Sequence, residues 1–136
     1  MEINDITKTI IGCAIKVHTR LGPGLLESTY QSCLRHELEK SGLVARSQVG
    51  LPLVYDGVRL ETGYRIDLMV EDAVIVEIKA QEGVLAVHRA QLLSHLRLSG
   101  RQVGLLINFH VVRLKDGIIR MVNNYREPVK TSGPLS

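Results

Sequence analysis

The first third of the chain repeats its apolar residues with the period of an α-helix. One stripe recurs at three- and four-residue steps: Ile3, Ile6, Ile10, Ala14, Val17 and Leu21. Residues 21–24 (LGPG) interrupt it, and a second stripe then runs from about Leu25 to Lys40. The pair Ser41-Gly42 that follows is typical of a helix C-terminus. The pattern therefore predicts two amphipathic helices at the start of the fold.

Beyond Ser47 the apolar positions change to a period of two, which indicates β-strands. The predicted strands are Val49–Tyr55, Arg59–Val70 and Ala73–Ala80, with turns at Asp56-Gly57 and near Glu71-Asp72. Strands joined by such short turns pair antiparallel. This region is therefore predicted to form a meander.

The last part of the pattern predicts a helix, a buried strand and a short hairpin. The helix runs from about Val84 to Leu98 and is long enough to cross over a sheet, and the apolar strand Val103–Phe109 follows, with Asn108 near its end. This hairpin, or alternatively an extension of the sheet, is predicted from Val111–Leu114 and Ile118–Val122, which flank the turn Lys115-Asp116-Gly117. We expect residues 1–125 to form a single domain and residues 126–136 a flexible tail, because the tail has no periodicity.

Composition limits the classes of function without selecting one. The net charge is +3, a mild basic bias that favours polyanions without requiring them. Four tyrosines and one phenylalanine leave little for base stacking, so nucleic-acid contacts are expected to use the backbone. Cys13 and Cys33 are too few for a disulfide framework, and no apolar run reaches the length of a membrane span. We therefore expect a cytoplasmic protein that does not enter a membrane.

Charged side chains occupy two neighbouring strands of the predicted meander. Glu77 and Lys79 are two residues apart, so both project from the same face of their strand. Asp67 lies in the preceding strand, on the face opposite its apolar positions. Those positions are Tyr64, Ile66, Leu68 and Val70. Asp67, Glu77 and Lys79 can therefore converge at one point of the sheet.

Two interpretations of these three charges remain open at this point. Buried ions cost several kcal/mol each unless they pair or bind a cation, and hard oxygen ligands suit Mg²⁺ or Mn²⁺. In that interpretation Lys79 lies beside a phosphate group. The spacing fits an ordinary cross-strand ion pair on a solvated face equally well.

Several short motifs stand in a definite order along the chain. They are residues 24–30 (GLLESTY), Asp67, residues 77–79 (EIK), Gln91 and residues 104–109 (GLLINF). In this order, over Ile3 to Val122, they resemble the GxxExxY protein family, which belongs to the PD-(D/E)xK nuclease superfamily. The resemblance implies an α/β fold with the restriction-endonuclease-like core, in which a mixed central β-sheet is flanked by α-helices.

The same resemblance implies roles for individual residues. Asp67 and Glu77 would bind the metal ion, and the backbone carbonyl of Ile78 can add a ligand. Lys79 would orient or activate the attacking water and stabilise charge on the phosphate. Glu27 would bring a third carboxylate to the metal, although the helix dipole also favours a glutamate in a first helical turn.

The remaining candidates lie on the second and third predicted helices. Tyr30 shares a side with Glu27 but also continues the apolar stripe, which favours core packing as its supporting role. His88, Gln91 and His95 form one stripe of the third helix. Gln91 resembles the glutamine of a Q-x-x-x-Y motif that supports the active site of RecB-like nucleases, whereas the expected tyrosine is His95 here. The histidine pair also fits zinc, but no third Cys or His ligand is nearby in the sequence.

The leading hypothesis is a metal-dependent nuclease that hydrolyses nucleic acid, with DNA as the expected substrate and Mg²⁺ or Mn²⁺ as the cofactor. The alternative is a catalytically inactive module that keeps the nuclease fold for nucleic-acid binding or protein association. A domain of this size spans little duplex, so a homodimer is a further expectation.

Overall fold

The protein is a mixed β-sheet with helices on both faces, as a computed structural model describes it for residues 1–126. The predicted tail falls, apart from Arg126, outside the described residues. The elements in chain order are α1 (Ile3–Leu21), α2 (Glu27–Lys40), β1 (Ala45–Gly50), β2 (Leu53–Tyr55), β3 (Val58–Leu60), β4 (Arg65–Val70), β5 (Val74–Lys79), α3 (Ala86–Ser99), β6 (Val103–Asn108), a 3₁₀-helix (Leu114–Gly117) and β7 (Ile118–Val122).

The main sheet has five strands in the order β1-β4-β5-β6-β7. Only β5 and β6 pair in parallel, and α3 connects them as a crossover helix, which a parallel pair requires. The other pairs are antiparallel. The predicted mixed sheet flanked by helices is therefore confirmed.

Two apolar clusters cover the two faces of this sheet. We call the cluster under α1 and α2 the α1–α2 core, and it includes Ile10, Tyr30, Leu34, Leu68, Val76, Ile78 and Phe109. We call the smaller cluster under α3 the α3 core, and it consists of Leu51, Ile66, Met69, Ile75, Leu92, Leu96 and Leu106. The face covered by α3 therefore has less apolar material and more room for polar groups.

The prediction of two long continuous strands, Val49–Tyr55 and Arg59–Val70, is wrong. Each is divided, and the outer halves β2 and β3 form a separate two-stranded sheet with its turn at Asp56-Gly57. Pro52 has no amide hydrogen for a sheet ladder, and Gly63 has a positive φ of 79°. These two residues interrupt both strands, so the hairpin projects beyond the main sheet.

Of the two alternatives predicted after Phe109, the hairpin is wrong, whereas the sheet extension is present as β7 alone. Val111–Leu114 does not pair, and the chain forms the 3₁₀-helix instead before β7 pairs with β6. A Cβ atom at Gly117 would collide with the backbone carbonyl of Asn108. This close approach places the segment against the end of β6.

No helix within residues 1–126 is long and apolar enough to cross a membrane.

Candidate active site

Asp67 lies where the pairing between β4 and β5 ends. The ladder joins Met69 to Ile75 and Leu68 to Val76 but does not continue to Asp67. Instead, the backbone N–H of Ile78 donates to Asp67 Oδ2 at 2.8 Å. The carboxylate therefore takes the place of a backbone acceptor, and this bond fixes its position between the two strands.

The predicted alternation of faces along β4 fails at this residue. Leu68 and Val70 pack in the α1–α2 core as a pair, but Ile66 packs in the α3 core. Gln48 lies opposite Asp67 on β1 and has a positive φ of 53°, which is uncommon for a residue other than glycine. Both strands are irregular at the same level, and a regular strand would not place Ile66 and Leu68 in different cores.

Glu77 lies on the face of β5 that α3 covers, with its side chain only 12% exposed. Its neighbour Ile78 packs in the opposite core, so Glu77 and Lys79 share one face as the sequence pattern predicts. The Oε1 atom of Glu77 lies 2.8 Å from Nδ1 of His95 on α3. This contact with α3 therefore fixes the position of the Glu77 side chain.

Burial raises the pKa of the Glu77 carboxyl above its usual value of 4.5. The hydrogen bond from His95 acts in the opposite direction and does not cancel this effect, while the Asp67 carboxylate raises the pKa further. Two carboxylates therefore stand close together in a place with little water, where a cation would relieve both desolvation and repulsion.

One cavity of about 250 Å³ collects every predicted site residue except Tyr30. Its lining is Glu27, Gly63, Tyr64, Arg65, Asp67, Glu77, Lys79, His88, Gln91, Leu92, His95 and Leu106. Among residues 1–126, no ion pair engages Lys79. Its ammonium group is therefore available to an anion that enters beside the two carboxylates.

The helices supply the other walls of the cavity. Glu27 is the first residue of α2 and lies on the rim with its side chain exposed. His88 Nδ1 accepts a hydrogen bond from the N–H of Leu85 at 3.1 Å, which caps the start of α3. Gln91 and His95 follow along the same helix.

Tyr30 does not reach the cavity. Its ring is fully buried and stacks on Phe109 with centroids 4.4 Å apart. The hydroxyl donates to the carbonyl of Gly22 at 2.6 Å and accepts from the N–H of Leu25 at 3.1 Å. Tyr30 thereby fixes the loop between α1 and α2 from which Glu27 starts its helix.

The donor set fits a hard divalent cation through two carboxylates. Mg²⁺ commonly uses one or two protein carboxylates and keeps several waters, and Asp67 with Glu77 meets that need. In the described part of the chain, however, no group of three or more His, Cys, Asp or Glu side chains is arranged to hold a metal. Glu27 therefore shares the cavity with the pair without joining it in a three-ligand cluster.

Several residues near the site are not predicted from the sequence to contribute to it. Tyr64 and Arg65 complete the cavity wall. The amide of Gln48 lies 3.5 Å from Asp67 Oδ1 and 2.9 Å from the Gln31 oxygen. Asn108 is buried and binds both the N–H and the carbonyl of Gln81, which secures the chain just after Lys79. The sequence marks Asn108 as the end of a buried strand and as part of residues 104–109 (GLLINF), but it does not predict this role.

A five-stranded mixed sheet flanked by helices, with an aspartate and a Glu-x-Lys pair on adjacent strands, defines a restriction-endonuclease-like α/β domain. The sequence model of the PD-(D/E)XK nuclease superfamily matches residues 4–121, and the chain belongs to this superfamily. Its members generally use divalent metal ions. The match does not select a subfamily, so the relation to GxxExxY proteins stays a prediction. Neither a curated protein nor a solved structure matches the chain significantly.

Proposed function

We propose that the protein is a metal-dependent nuclease that hydrolyses phosphodiester bonds in DNA with Mg²⁺ or Mn²⁺ as its cofactor. One observation carries the proposal: Asp67, Glu77 and Lys79 line one cavity, where burial and a neighbouring carboxylate raise the pKa of Glu77. An ordinary surface ion pair would not have this property, because such a pair is solvated and neutralises its own charges.

Each residue of the cavity has a distinct task in this proposal. Asp67, Glu77 and the Ile78 carbonyl would hold the ion, and Glu27 would join them through a water molecule or a change of rotamer. When bound, the ion supplies positive charge for the phosphate and acidifies the attacking water. Lys79 places its ammonium group beside the phosphate and stabilises the charge that develops there.

His95 and Gln91 act from α3 on the same cavity. The 2.8 Å contact between His95 and Glu77 orients the glutamate, so the imidazole is a positioning group for this residue. Gln91 would contact the phosphate backbone next to Lys79. His88 supports both residues indirectly because it caps the helix that carries them.

The test is a cleavage and nicking assay on DNA and RNA with Mg²⁺ or Mn²⁺. We expect Lys79→Ala to lower the rate about 10²- to 10³-fold, as removal of one group that stabilises transition-state charge does. Lys115→Ala is the matched control, since Lys115 is an exposed lysine of the 3₁₀-helix outside the cavity lining. Equal rates for wild type and Lys79→Ala on every substrate would end the catalytic proposal.

The absence of a three-ligand cluster within residues 1–126 favours one second candidate. This is a catalytically inactive module that binds nucleic acid or a protein through the retained fold. It predicts that Mn²⁺ does not stabilise the wild-type protein, whereas the nuclease proposal predicts that it does.

We further propose a cytoplasmic location, because Cys13 and Cys33 are free thiols. Homodimer formation stays a prediction. The strands β1 and β7 form the two edges of the main sheet and are the places where a second copy could pair.

A further inference from the structure

A second cavity of about 480 Å³ adjoins the catalytic cavity and shares Tyr64, Gln91 and His95 with it. We call this second cavity the side groove. The rest of its lining is Leu53, Val87, Ala90, Ser94, Arg97 and Leu98. Because three residues belong to both cavities, a molecule held beside Lys79 can extend directly into the side groove.

The walls of the side groove are apolar and open to water. Val87 and Leu98 on α3 are 56% and 37% exposed, and Tyr64 is 53% exposed. None of these three side chains belongs to either core, because α3 packs on the sheet through Leu92 and Leu96. Apolar side chains gathered beside a polar cavity mark a binding surface more often than isolated ones do.

Polar groups line this groove among the apolar ones. Gln91 lies three residues before Ser94 and four before His95, so it neighbours both on α3, and their amide, hydroxyl and imidazole groups all belong to the lining. Arg97 adds a cation. These groups can bind the polar edge and the phosphate of a ligand whose body is apolar.

Tyr64 provides a flat surface in a fixed position. Its carbonyl accepts a hydrogen bond from the N–H of Leu51 at 2.9 Å, which anchors the backbone below the ring. The ring centroid lies 6.1 Å from that of His95, and the two planes are inclined at 46°. An aromatic ring held in this way, with half its surface in water, is suited to stacking on a planar ligand.

We propose that the side groove binds an unpaired nucleobase of the substrate, from a nucleotide next to the phosphate at Lys79. This inference rests on the proposed nuclease function and narrows its substrate class. A base inside a duplex is stacked and paired, so it would have to leave the helix to enter the groove. The substrate is therefore single-stranded nucleic acid or a duplex with an unpaired nucleotide at the cleavage point. The low number of aromatic residues does not oppose this, because one ring at the cavity suffices for one base.

Equilibrium binding without cleavage tests the groove. The probes are a short single-stranded DNA that contains 2-aminopurine and a fully abasic strand of the same length, both in EDTA. We expect the intact strand to bind wild type and Tyr64→Phe alike, with a change in 2-aminopurine fluorescence, and Tyr64→Ala to weaken this binding about ten-fold. Tyr55→Ala is the matched control, because Tyr55 is a 69% exposed tyrosine outside both cavities and should leave binding unchanged.

The abasic strand separates this proposal from the proposed function. It should bind wild type about ten-fold more weakly than the intact strand, and Tyr64→Ala should not weaken it further. Equal affinity of wild type for both strands overturns the proposal that the side groove binds a base, even if Lys79-dependent cleavage is observed. Base-dependent binding that needs Tyr64 upholds the groove, even if no cleavage is found. Self-association that Tyr64→Ala abolishes, together with base-independent binding, assigns the groove to a second copy and overturns the proposal.

Discussion

Glu37 and Glu77 lie on opposite sides of the sheet, each with a side chain no more than 12% exposed, and their surroundings shift the pKa of the two carboxyls in opposite directions. Glu37 on α2 is 7% exposed and lies among three cations: Lys16 Nζ at 3.0 Å, Arg20 at 3.7 Å and Lys40 at 3.8 Å. The hydrogen bond from Lys16, together with the charges of all three cations, lowers the pKa of Glu37 and outweighs the opposing effect of desolvation. Glu77 under α3 has a histidine and another carboxylate as neighbours, and burial raises its pKa.

The charge of Glu37 therefore stabilises the fold, whereas the charge of Glu77 is unfavourable to it. The cations around Glu37 complete its electrostatic environment within the protein. The charge of Glu77 is not balanced in this way, because Asp67 adds repulsion to desolvation. An uncompensated carboxylate in a cavity is typical of a functional site.

The largest expected effect is that Mn²⁺, bound on the α3 side of the sheet, stabilises the protein against unfolding. A ligand that binds only the folded protein raises the free energy of unfolding by about 2.7 kcal/mol at a hundred times its Kd. Thermal unfolding with and without Mn²⁺ should show this gain in stability for wild type and no gain for Asp67→Asn. Glu37→Gln is the control, because it removes a buried carboxylate from the other face and should keep the gain. A wild type that Mn²⁺ does not stabilise would favour the inactive module.

A smaller effect is expected from the structural bond that Asp67 makes. Asp67→Ala leaves the buried N–H of Ile78 without an acceptor, which should cost about 1–3 kcal/mol in metal-free urea unfolding. Asp67→Asn keeps an acceptor oxygen and removes the repulsion toward Glu77, so its stability should match or exceed that of wild type.

The exposed Asp72 serves as the comparison for that loss. It pairs with Arg46 and Arg101 in solvent and has a positive φ of 50°, so the comparison uses Asp72→Asn, which removes the charge and keeps a residue type that tolerates this φ. Asp72→Asn should change stability by less than about 1 kcal/mol. A loss for Asp67→Ala no larger than that for Asp72→Asn would show that the bond to Ile78 contributes no more than an exposed ion pair.

The sequence predicts the parts of this site that follow a simple period. The three long helices and the strands β5 and β6 are regular, so apolar spacing alone places Glu77 and Lys79 on the face opposite Ile78. The turns at Asp56-Gly57 and Glu71-Asp72 were also predictable, since Asp56, Gly57 and Asp72 are of types that tolerate the positive φ found there.

The irregular parts depend on tertiary contacts that no period encodes. Asp67 reaches the cavity because its carboxylate replaces a backbone acceptor beside Ile78, and the strand changes its facing there. Tyr64 reaches the cavity because the β2–β3 hairpin separates from the main sheet. The alternation of apolar residues indicates neither feature, so the prediction of one strand from Arg59 to Val70 contained neither.

The smallest expected effects are opposite pH dependences of the two glutamates, measured as urea unfolding in EDTA over a series of pH values. The raised pKa of Glu77 means that the folded protein binds more protons than the unfolded chain just above pH 4.5. Stability is therefore lost as pH rises through that window. Glu77→Gln removes this loss, so its stability relative to wild type should increase as the pH rises.

Glu37 should show the reverse sign. Its pKa lies below 4.5 in the folded protein, so its contribution is present above that value and disappears as pH falls through the folded pKa. Glu37→Gln should be less stable than wild type at neutral pH and approach it in acid. If the stability of both variants relative to wild type changes in the same direction with pH, the two environments do not shift the carboxyl pKa values in opposite directions. Glu77 would then not be an uncompensated charge of the site.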